Sequence, residues 1–212
     1  MTTKTITMDR QRGVLLILSG PSGVGKGTVG ASLRRNSTSV VYSVSATTRN
    51  PRAGEQEGID YFFKTKEQFE QMIANNELFE WAEYVGQYYG TPKRFVEDML
   101  QSGKDVILEI EVQGARKIKL QSDEGVFIFL LPPSLEELRK RIVSRGSESD
   151  EVISIRMSVA INEIHMIEHY DYAIINDHVQ TACAKIQAIL AAEHCRRERF
   201  MTEIIQWTKE VK

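Results

Sequence analysis

The sequence predicts an α/β fold with a doubly wound parallel sheet, and two observations support this class. Residues 14–18 and 126–131 are runs of consecutive apolar side chains without polar alternation, a pattern typical of strands buried on both faces. Segments of helical character separate these runs from other apolar, β-branched stretches. This alternation of strand and helix favours a parallel sheet with helices on both faces.

The elements of the predicted sheet follow one another along the chain. The first strand, Val14–Ser19, leads into a helix at Lys26–Arg35. Helices also follow the later strands, and Pro92 suits the first turn of one of them. The other predicted strands are Val40–Val44, Asp105–Glu111, Val126–Leu131 and Tyr172–Ile175, and the other predicted helices are Pro92–Ser102, Gly114–Leu120 and one from His178 onward.

Two stretches interrupt the alternation. Residues 45–91 begin as a polar loop up to Asp60 and are predicted to continue as a short strand, a helix and a hairpin around Gly86. Thr65 begins that helix, and Gln68 completes a capping box with it. In the second interruption, residues 137–167, a capping box of Ser134 and Glu137 opens a basic helix, and residues 148–170 are mainly helical.

These interruptions predict the organisation of the chain. We expect a core formed by residues 13–44, 92–136 and 168–212, with inserted subdomains at 45–91 and 137–167. Insertions of this kind usually bind substrate or close over it.

The composition fits one compact domain with insertions. The chain has 212 residues, of which 42% are hydrophobic, and a net charge of −2, which gives no indication of nucleic acid or an anionic membrane as partner. The first twelve residues lack the apolar segment of a signal peptide. Cys183 and Cys195 are about 18 Å apart on one predicted helix, too far for a disulfide, and free thiols predict a cytoplasmic protein.

A glycine-rich segment joins the first predicted strand to the first predicted helix. Its pattern G-x-x-x-x-G-K, in this strand–loop–helix context, is that of a phosphate-binding loop. Backbone N–H groups and the helix N-terminus would face the phosphates of a nucleoside triphosphate, with Lys26 at the β- and γ-phosphates. The alternative is a glycine-rich turn that binds nothing. The predicted nucleotide-binding residues are Gly20, Pro21, Ser22, Gly23, Val24, Gly25, Lys26, Gly27 and Thr28.

The loop departs from the usual pattern directly after its lysine. Gly27 stands where a hydroxyl that ligates Mg²⁺ is usual, and Thr28 comes one residue later. We therefore expect Mg²⁺ to be held by phosphates, waters and a carboxylate elsewhere. Thr28 and Glu109 are predicted to reach the ion only through water.

The first interruption contains groups suited to a second nucleotide. Arg49 and Arg52 are three residues apart with Tyr61 close behind, and arginine forks bind phosphate oxygens bidentately, although a solvated basic turn would show the same spacing. Glu80 lies beside Trp81 in an apolar strand, where a carboxylate needs hydrogen-bond donors. Guanine offers two donors on one edge, so a buried Glu80 would read guanine; an edge-strand acid facing water is the alternative.

These segments resemble guanylate kinases. The resemblance rests on the string Ser43–Glu55, on Gly58–Tyr61, on Glu80–Ala82 and on Tyr88–Thr91, together with the phosphate-binding loop. It runs from about residue 13 to the end of the chain. It implies ATP-dependent phosphorylation of GMP to GDP by a P-loop NTPase three-layer core with a parallel doubly wound sheet, an inserted GMP-binding subdomain and a helical lid.

The resemblance also implies roles for individual residues. It assigns the GMP phosphate to Arg49, Arg52, Tyr61 and Tyr89, and the guanine to Ser45, Glu80, Thr91 and Glu111. The family usually has aspartate where Glu111 stands. It matches Arg141, Arg145 and Arg156 with lid arginines that fold over the ATP phosphates. The predicted catalytic residues are Lys26, Arg49, Arg145 and Arg156.

Three other readings remain at this point. Another nucleoside monophosphate kinase would lack a carboxylate aimed at the base, as Glu80 is expected to be. A non-catalytic, guanylate-kinase-like binding module would typically lack the phosphate-binding loop or the lid arginines. The segment His165–His169 also fits H-x-x-E-H, a zinc-protease signature, with both histidines on one face of a predicted helix. A homo-oligomer is compatible with the sequence.

Overall fold

The chain forms two β-sheets surrounded by helices. A computed structural model describes residues 12–84, 86–121, 124–144 and 149–209. The strands are β1 (Leu15–Ser19), β2 (Val40–Tyr42), β3 (Ala46–Thr47), β4 (Phe62–Phe63), β5 (Leu78–Tyr84), β6 (Gln87–Pro92), β7 (Asp105–Glu109), β8 (Val126–Leu131) and β9 (Tyr172–Ile175). The α-helices are α1 (Lys26–Asn36), α2 (Lys66–Ala74), α3 (Lys93–Gln101), α4 (Val112–Gln121), α5 (Leu135–Val143), α6 (Asp150–Ile164), α7 (Val179–His194) and α8 (Met201–Lys209).

The main sheet has the strand order β2-β7-β1-β8-β9, and every pairing in it is parallel. Successive residues of β1 point to opposite faces. Leu16 and Leu18 pack with α1 and α7 on one face, whereas Leu15 and Ile17 pack with α3 and α4 on the other. Helices therefore cover both faces, which confirms the predicted α/β fold and explains the unbroken apolar runs.

The order of the strands places the chemistry at one edge of this sheet. Because the strands are parallel, their carboxyl ends meet there, and ligands of open α/β sheets bind beyond those ends. The segments that leave this edge are residues 20–25 after β1, 43–45 after β2, 110–111 after β7 and 176–178 after β9.

The second sheet has the order β4-β3-β6-β5 and lies within residues 46–92. It has its own small core of Ala46, Phe69 and Leu78. The predicted capping box at Thr65 and Gln68 is present at the start of α2. The hairpin of β5 and β6 also forms, although Val85, which was predicted to extend its first strand, lies outside the described residues.

Helices α5 and α6 follow β8 and pack against each other through Leu138, Ile142 and Ala160. Ser134 caps α5 by accepting a hydrogen bond from the backbone N–H of Glu137 at 3.0 Å. None of the helices among the described residues is long and apolar enough to span a membrane.

Several predicted boundaries were wrong. The polar stretch 45–60 contains β3, which the sequence did not reveal because only two residues pair. Strand β6 extends to Pro92 because the chain continues to pair with Leu78, and Pro92 caps α3 from outside the helix. The C-terminal helix is not continuous: α7 ends at His194, a 3₁₀ turn forms at 197–200, and α8 follows.

Candidate active site

The loop after β1 adopts backbone conformations that require glycine. Gly20, Gly23 and Gly25 have φ values of 147°, 87° and 100°, which L-residues with a Cβ rarely adopt. A Cβ at Gly23 would lie 2.9 Å from Ile142 Cγ1, and a Cβ at Gly20 would lie 2.5 Å from the Leu130 carbonyl oxygen. The loop is thus packed closely between β8 and helix α5.

Two side chains from distant parts of the chain hold the loop in place. Asn176, which follows β9, donates from Nδ2 to the Val24 carbonyl at 2.9 Å. Arg141 of α5 donates from Nη1 to the same carbonyl and to the Asn176 carbonyl, each at 3.2 Å. Both contacts fix the backbone of the loop at the Val24 carbonyl.

Lys26 is the first residue of α1 and is 8% exposed. Its Nζ donates to the Gly20 carbonyl at 2.6 Å and lies 3.3 Å from Glu111 Oε2. A buried ammonium needs such acceptors to offset desolvation. The contact with Glu111 joins the loop to the carboxyl end of β7.

A cavity of about 390 Å³ lies between the main sheet and the second sheet. It adjoins the carboxyl ends of β2 and β7 and the start of α1. The predicted site residues that line it are Lys26, Gly27, Ser45, Tyr61, Thr91, Glu109 and Glu111. The other residues that line the cavity were not predicted as site residues from the sequence; they are Ala31, Arg34, Tyr42, Ser43, Asp60 and Leu108.

One arginine and two tyrosines form a cluster at the second sheet. The Arg49 guanidinium is 5.3 Å from the centroid of the Tyr61 ring, and the Tyr61 and Tyr89 rings are 6.2 Å apart, edge to face. Arg49 Nη2 donates to Glu55 Oε1 at 2.8 Å. This hydrogen bond raises the pKa of Arg49 and lowers that of Glu55.

Glu55 also orders the loop that carries the other arginine. Its second carboxylate oxygen accepts the backbone N–H of Arg52 at 2.7 Å. The Arg52 side chain is exposed, so its guanidinium can turn toward a ligand. The two arginines predicted to bind a monophosphate therefore share one short loop, with Arg49 held by Glu55 and Arg52 facing solvent.

Glu80 lies behind the cavity and is hydrogen-bonded to Thr91, which lines it. Thr91 Oγ1 donates to Glu80 Oε1 at 2.7 Å, and Thr91 is 2% exposed. Burial raises the pKa of Glu80, while the bond from Thr91 and the charge of Lys117 act in the opposite direction. Glu80 is therefore a partly buried carboxylate on the edge strand β5, hydrogen-bonded to Thr91, and its role in reading guanine stays a prediction.

Helix α6, which belongs to the predicted lid, contacts the loop directly. Arg156 donates from Nη2 to Ser22 Oγ at 3.1 Å. Arg145, the other predicted lid arginine, lies outside the described residues. One predicted catalytic arginine is thus already at the loop, and Arg141 is bound to its backbone.

Thr28 and Glu109, which were predicted to reach Mg²⁺ through water, lie in different environments. Thr28 is exposed on the first turn of α1. The Glu109 carboxylate lies 3.5 Å from the point where a Cβ on Gly27 would stand. Glu109 therefore lies beside the position where the hydroxyl is missing. Glu111 was predicted to close the strand, but β7 ends at Glu109, because Glu111 already lies at the start of α4, where its carbonyl accepts the N–H of Ala115 in the first turn.

The H-x-x-E-H segment does not have the predicted geometry. His165–His169 forms a 3₁₀ helix, in which residues three apart share a face and residues four apart do not. The two histidines therefore do not lie on one face. Among the described residues, no three His, Cys, Asp or Glu side chains form a group able to hold a metal ion.

Sequence reasoning missed three residues of this site. Asn176 and Glu55 act through contacts with the loops, and Glu163 of α6 is half-buried, with a pKa raised by burial and by the charge of Glu111. Asn176 lies 152 positions from its partner, so no local pattern could reveal it. Glu55 was visible, since it ends the string that carries the resemblance, and two arginines precede it.

The comparisons with known proteins agree with this geometry. The family model described as guanylate kinase matches residues 12–193. The guanylate kinase of Halalkalibacterium halodurans is 59% identical over 199 residues, which are 94% of this chain and 98% of that protein. That of Bacillus subtilis is 60% identical over 191 residues, 90% of this chain and 94% of its own length.

The chain belongs to the guanylate kinase family. A crystal structure of guanylate kinase from Anaplasma phagocytophilum superposes with a TM-score of 0.69 at 37% identity, covering 93% of this chain and 95% of that one. Membership confirms the predicted enzyme class, a nucleoside monophosphate kinase with ATP-dependent phosphoryl transfer. The other two readings, a non-catalytic module and a zinc protease, gain no support from these relatives.

Proposed function

We propose that the enzyme phosphorylates GMP to GDP reversibly, by direct in-line transfer from ATP in the cavity between the two sheets. One observation carries this proposal: the cavity brings Lys26 of the phosphate-binding loop together with Tyr61 and Thr91 of the second sheet. A donor nucleotide on the loop and an acceptor on the second sheet would then meet within one cleft.

The donor side consists of the loop and the lid. We assign the ATP phosphates to residues 20–28, with Lys26 leaving Gly20 and Glu111 for the β- and γ-phosphates. Arg156, and with it Arg141 and Arg145, would neutralise the charge of the phosphates. Phosphoryl transfer needs little covalent assistance, so alignment and neutralisation of charge on the moving group carry most of the catalysis.

The acceptor side consists of the arginine–tyrosine cluster and the guanine pocket. We assign the GMP phosphate to Arg49, Arg52, Tyr61 and Tyr89, and the base to Ser45, Glu80, Thr91 and Glu111. Glu80 would accept hydrogen bonds from the ring N–H and the amino group of guanine. Adenine presents an acceptor at the ring position and would leave this carboxylate poorly paired.

The acceptor oxygen of GMP is already an anion near neutral pH, so no general base is required. The lid has a different task. Its closure would exclude water, which otherwise competes with GMP for the γ-phosphoryl group. The catalytic set is therefore Lys26, Arg49, Arg145 and Arg156.

A magnesium ion is the expected cofactor. The residues fit an ion bound through water: the Glu109 carboxylate lies beside Gly27, and Thr28 is exposed on the same turn. The ion would neutralise and orient the phosphates of ATP. Glu109 would hold its water ligands, and Thr28 would hold a phosphate or a water.

The proposed functions divide the chain into three parts. We propose residues 45–91 as the GMP-binding subdomain, 137–167 as the lid, and 13–44, 92–136 and 168–212 as the core. We further propose a cytoplasmic enzyme, in line with its reduced cysteines Cys183 and Cys195, and a homo-oligomer is compatible with this assignment.

A coupled assay of ADP release tests the function. With ATP and magnesium, we expect rapid turnover with GMP and at least about 100-fold lower kcat/KM with AMP, UMP or CMP, since a carboxylate left unpaired by the wrong base is costly. Equal activity with AMP would reject the guanine assignment. Absence of ADP release with all four would reject the kinase.

A further inference from the structure

A second cavity, larger than the cleft, lies away from it. It has a volume of about 830 Å³ and lies on the outer side of the second sheet, where α2 approaches α3. None of the residues assigned to ATP or GMP lines it. Its volume is within the range of small-molecule sites, about 300–1,000 Å³, and exceeds that of the cleft itself.

We call this cavity the rear cavity. Its floor is aromatic and contains residues from two parts of the fold. Phe62 comes from β4 of the second sheet and Phe95 from α3, which packs on the main sheet. Their rings meet edge to face at 5.6 Å, and Met72 of α2 completes the apolar surface. A planar ring system would find here both flat apolar area and ring edges.

The rim of the rear cavity is basic. Lys64, Lys93 and Arg94 line it, against two acids, Glu77 and Asp98. The Lys64 ammonium lies 5.9 Å from the centroid of the Phe62 ring, and Lys93 Nζ donates to Asn76 Oδ1 at 2.9 Å. Among the described residues, no salt bridge joins these three cations to a carboxylate, and Arg94 is exposed.

The start of α3 adds to this positive potential. Pro92 precedes the helix and offers no side-chain cap; the Lys93 N–H donates to the Glu77 carbonyl at 2.8 Å, and the other N–H groups of the first turn keep their partial positive charge. Lys93, Arg94 and Phe95 of that turn all line the rear cavity. An aromatic floor, three cations that form no salt bridge among the described residues, and the start of α3 thus converge on one volume.

We propose that the rear cavity is a second ligand site, which binds an aromatic ring carrying a phosphate, sulfonate or carboxylate group and is coupled to GMP binding. The ring would lie on Phe62 and Phe95, and the anionic group would face Lys64 and Arg94. Coupling follows from the walls: one belongs to the second sheet and the other to α3, so a ligand that bridges them restrains the part of the fold that binds GMP. The coupling rests on the proposed function, whereas the site itself does not.

Calorimetric titration of the full chain with 1-naphthyl phosphate tests the site. The catalytic cleft is first saturated with GMP and a non-hydrolysable ATP analogue, so that only a second site remains. We expect one equivalent to bind, and the double variant Lys64→Glu, Arg94→Glu to weaken binding at least tenfold. Lys104→Glu, Lys185→Glu is the matched control, because it makes the same charge change at exposed positions elsewhere.

Each result decides one part of the proposal. No binding to the saturated protein, or equal loss in the control, would overturn the site. Binding that the Lys64 and Arg94 substitutions remove, together with at least a twofold change in GMP affinity when the probe is present, supports the whole proposal, since coupling between two sites is reciprocal. An unchanged GMP affinity would overturn the coupling alone, and failure of wild-type protein to bind GMP would contradict the proposed function.

Discussion

Lys26 has two environments, one seen here and one proposed with ATP. In the structure, carbonyl oxygens and Glu111 surround its ammonium, and the phosphates would replace them. We expect Lys26→Ala to lower kcat by at least about 100-fold, because removal of one preorganised charge from a transferring group typically costs that much. Steady-state kinetics with saturating ATP and GMP measures this effect.

Lys26→Ala should retain its binding site for GMP. GMP affinity is expected to stay within about threefold of wild type, since the residues assigned to GMP, apart from Glu111, belong to residues 45–91. Lys66→Ala, an exposed lysine on α2, serves as the control and should leave kcat unchanged. Wild-type turnover by Lys26→Ala would remove the loop from the catalytic site.

The Glu80 carboxylate is expected to strengthen GMP binding and to lower the free energy of unfolding. Glu80→Gln replaces one accepting oxygen by an amide, so GMP affinity should fall at least about tenfold, the loss typical of a charged hydrogen bond in a buried site. AMP affinity should change less. Competition binding with both monophosphates measures the difference, and equal losses would exclude Glu80 from the guanine pocket.

The raised pKa of Glu80 predicts the effect on stability. An acid whose pKa is higher in the folded state stabilises the fold fully below its unfolded pKa, and that stabilisation is lost as pH rises through the folded pKa. Glu80→Gln should therefore raise the Tm of the ligand-free protein at pH 7, by about 2 °C or more for each kcal/mol in a chain of this size. The gain should vanish below about pH 4. Thermal melting against pH tests this sign.

Single residues were predictable where type and spacing carry the chemistry. Lys26 follows from its loop, and Glu80 follows from a carboxylate in an apolar strand. Asn176 was not predictable, because an isolated asparagine after a strand has no local signature and its partner, Val24, is distant in sequence. The assignment of Tyr89 came from the resemblance alone, since nothing in its local sequence distinguishes it from Tyr88.

Among the elements, α2 depends visibly on its cap. Thr65 accepts from the Gln68 backbone N–H at 3.2 Å, and the Gln68 side chain accepts from the Thr65 N–H at 3.0 Å. We expect Thr65→Ala to cost about 1 kcal/mol and about 2–4 °C in Tm, with kcat unaffected. Thr65→Ser, which retains the hydroxyl, should melt within about 1 °C of wild type. Equal destabilisation by Ser would show that the hydroxyl is not the cause.

Elements with a strong internal pattern were predicted well. Strand β8 has the predicted bounds because its apolar run is long and two prolines follow it. Strand β3 was missed because two residues between polar neighbours carry no periodicity, and only pairing with β4 and β6 makes them a strand. The break after α7 was missed because helix-compatible residues continue beyond Cys195.

The whole molecule is expected to change shape with its substrates. The groups assigned to GMP and to ATP lie on opposite sides of the cleft, and phosphoryl transfer requires them to approach. Small-angle scattering should therefore show a smaller radius of gyration with GMP and a non-hydrolysable ATP analogue together than with either alone. An unchanged radius with both ligands would contradict closure of the lid and the second sheet.

The small core of the second sheet has a consequence for the folding of the enzyme. Ala46, Phe69 and Leu78 are its fully buried apolar residues, whereas both faces of the main sheet pack more extensive clusters. Local unfolding should be easiest where burial is least, so hydrogen exchange should be faster at the amides of β3 and β6 than in β1. A molecule opened in this way keeps its phosphate-binding loop and loses the cluster of Arg49, Tyr61 and Tyr89. GMP, by binding only the folded form, would then set the fraction of competent enzyme.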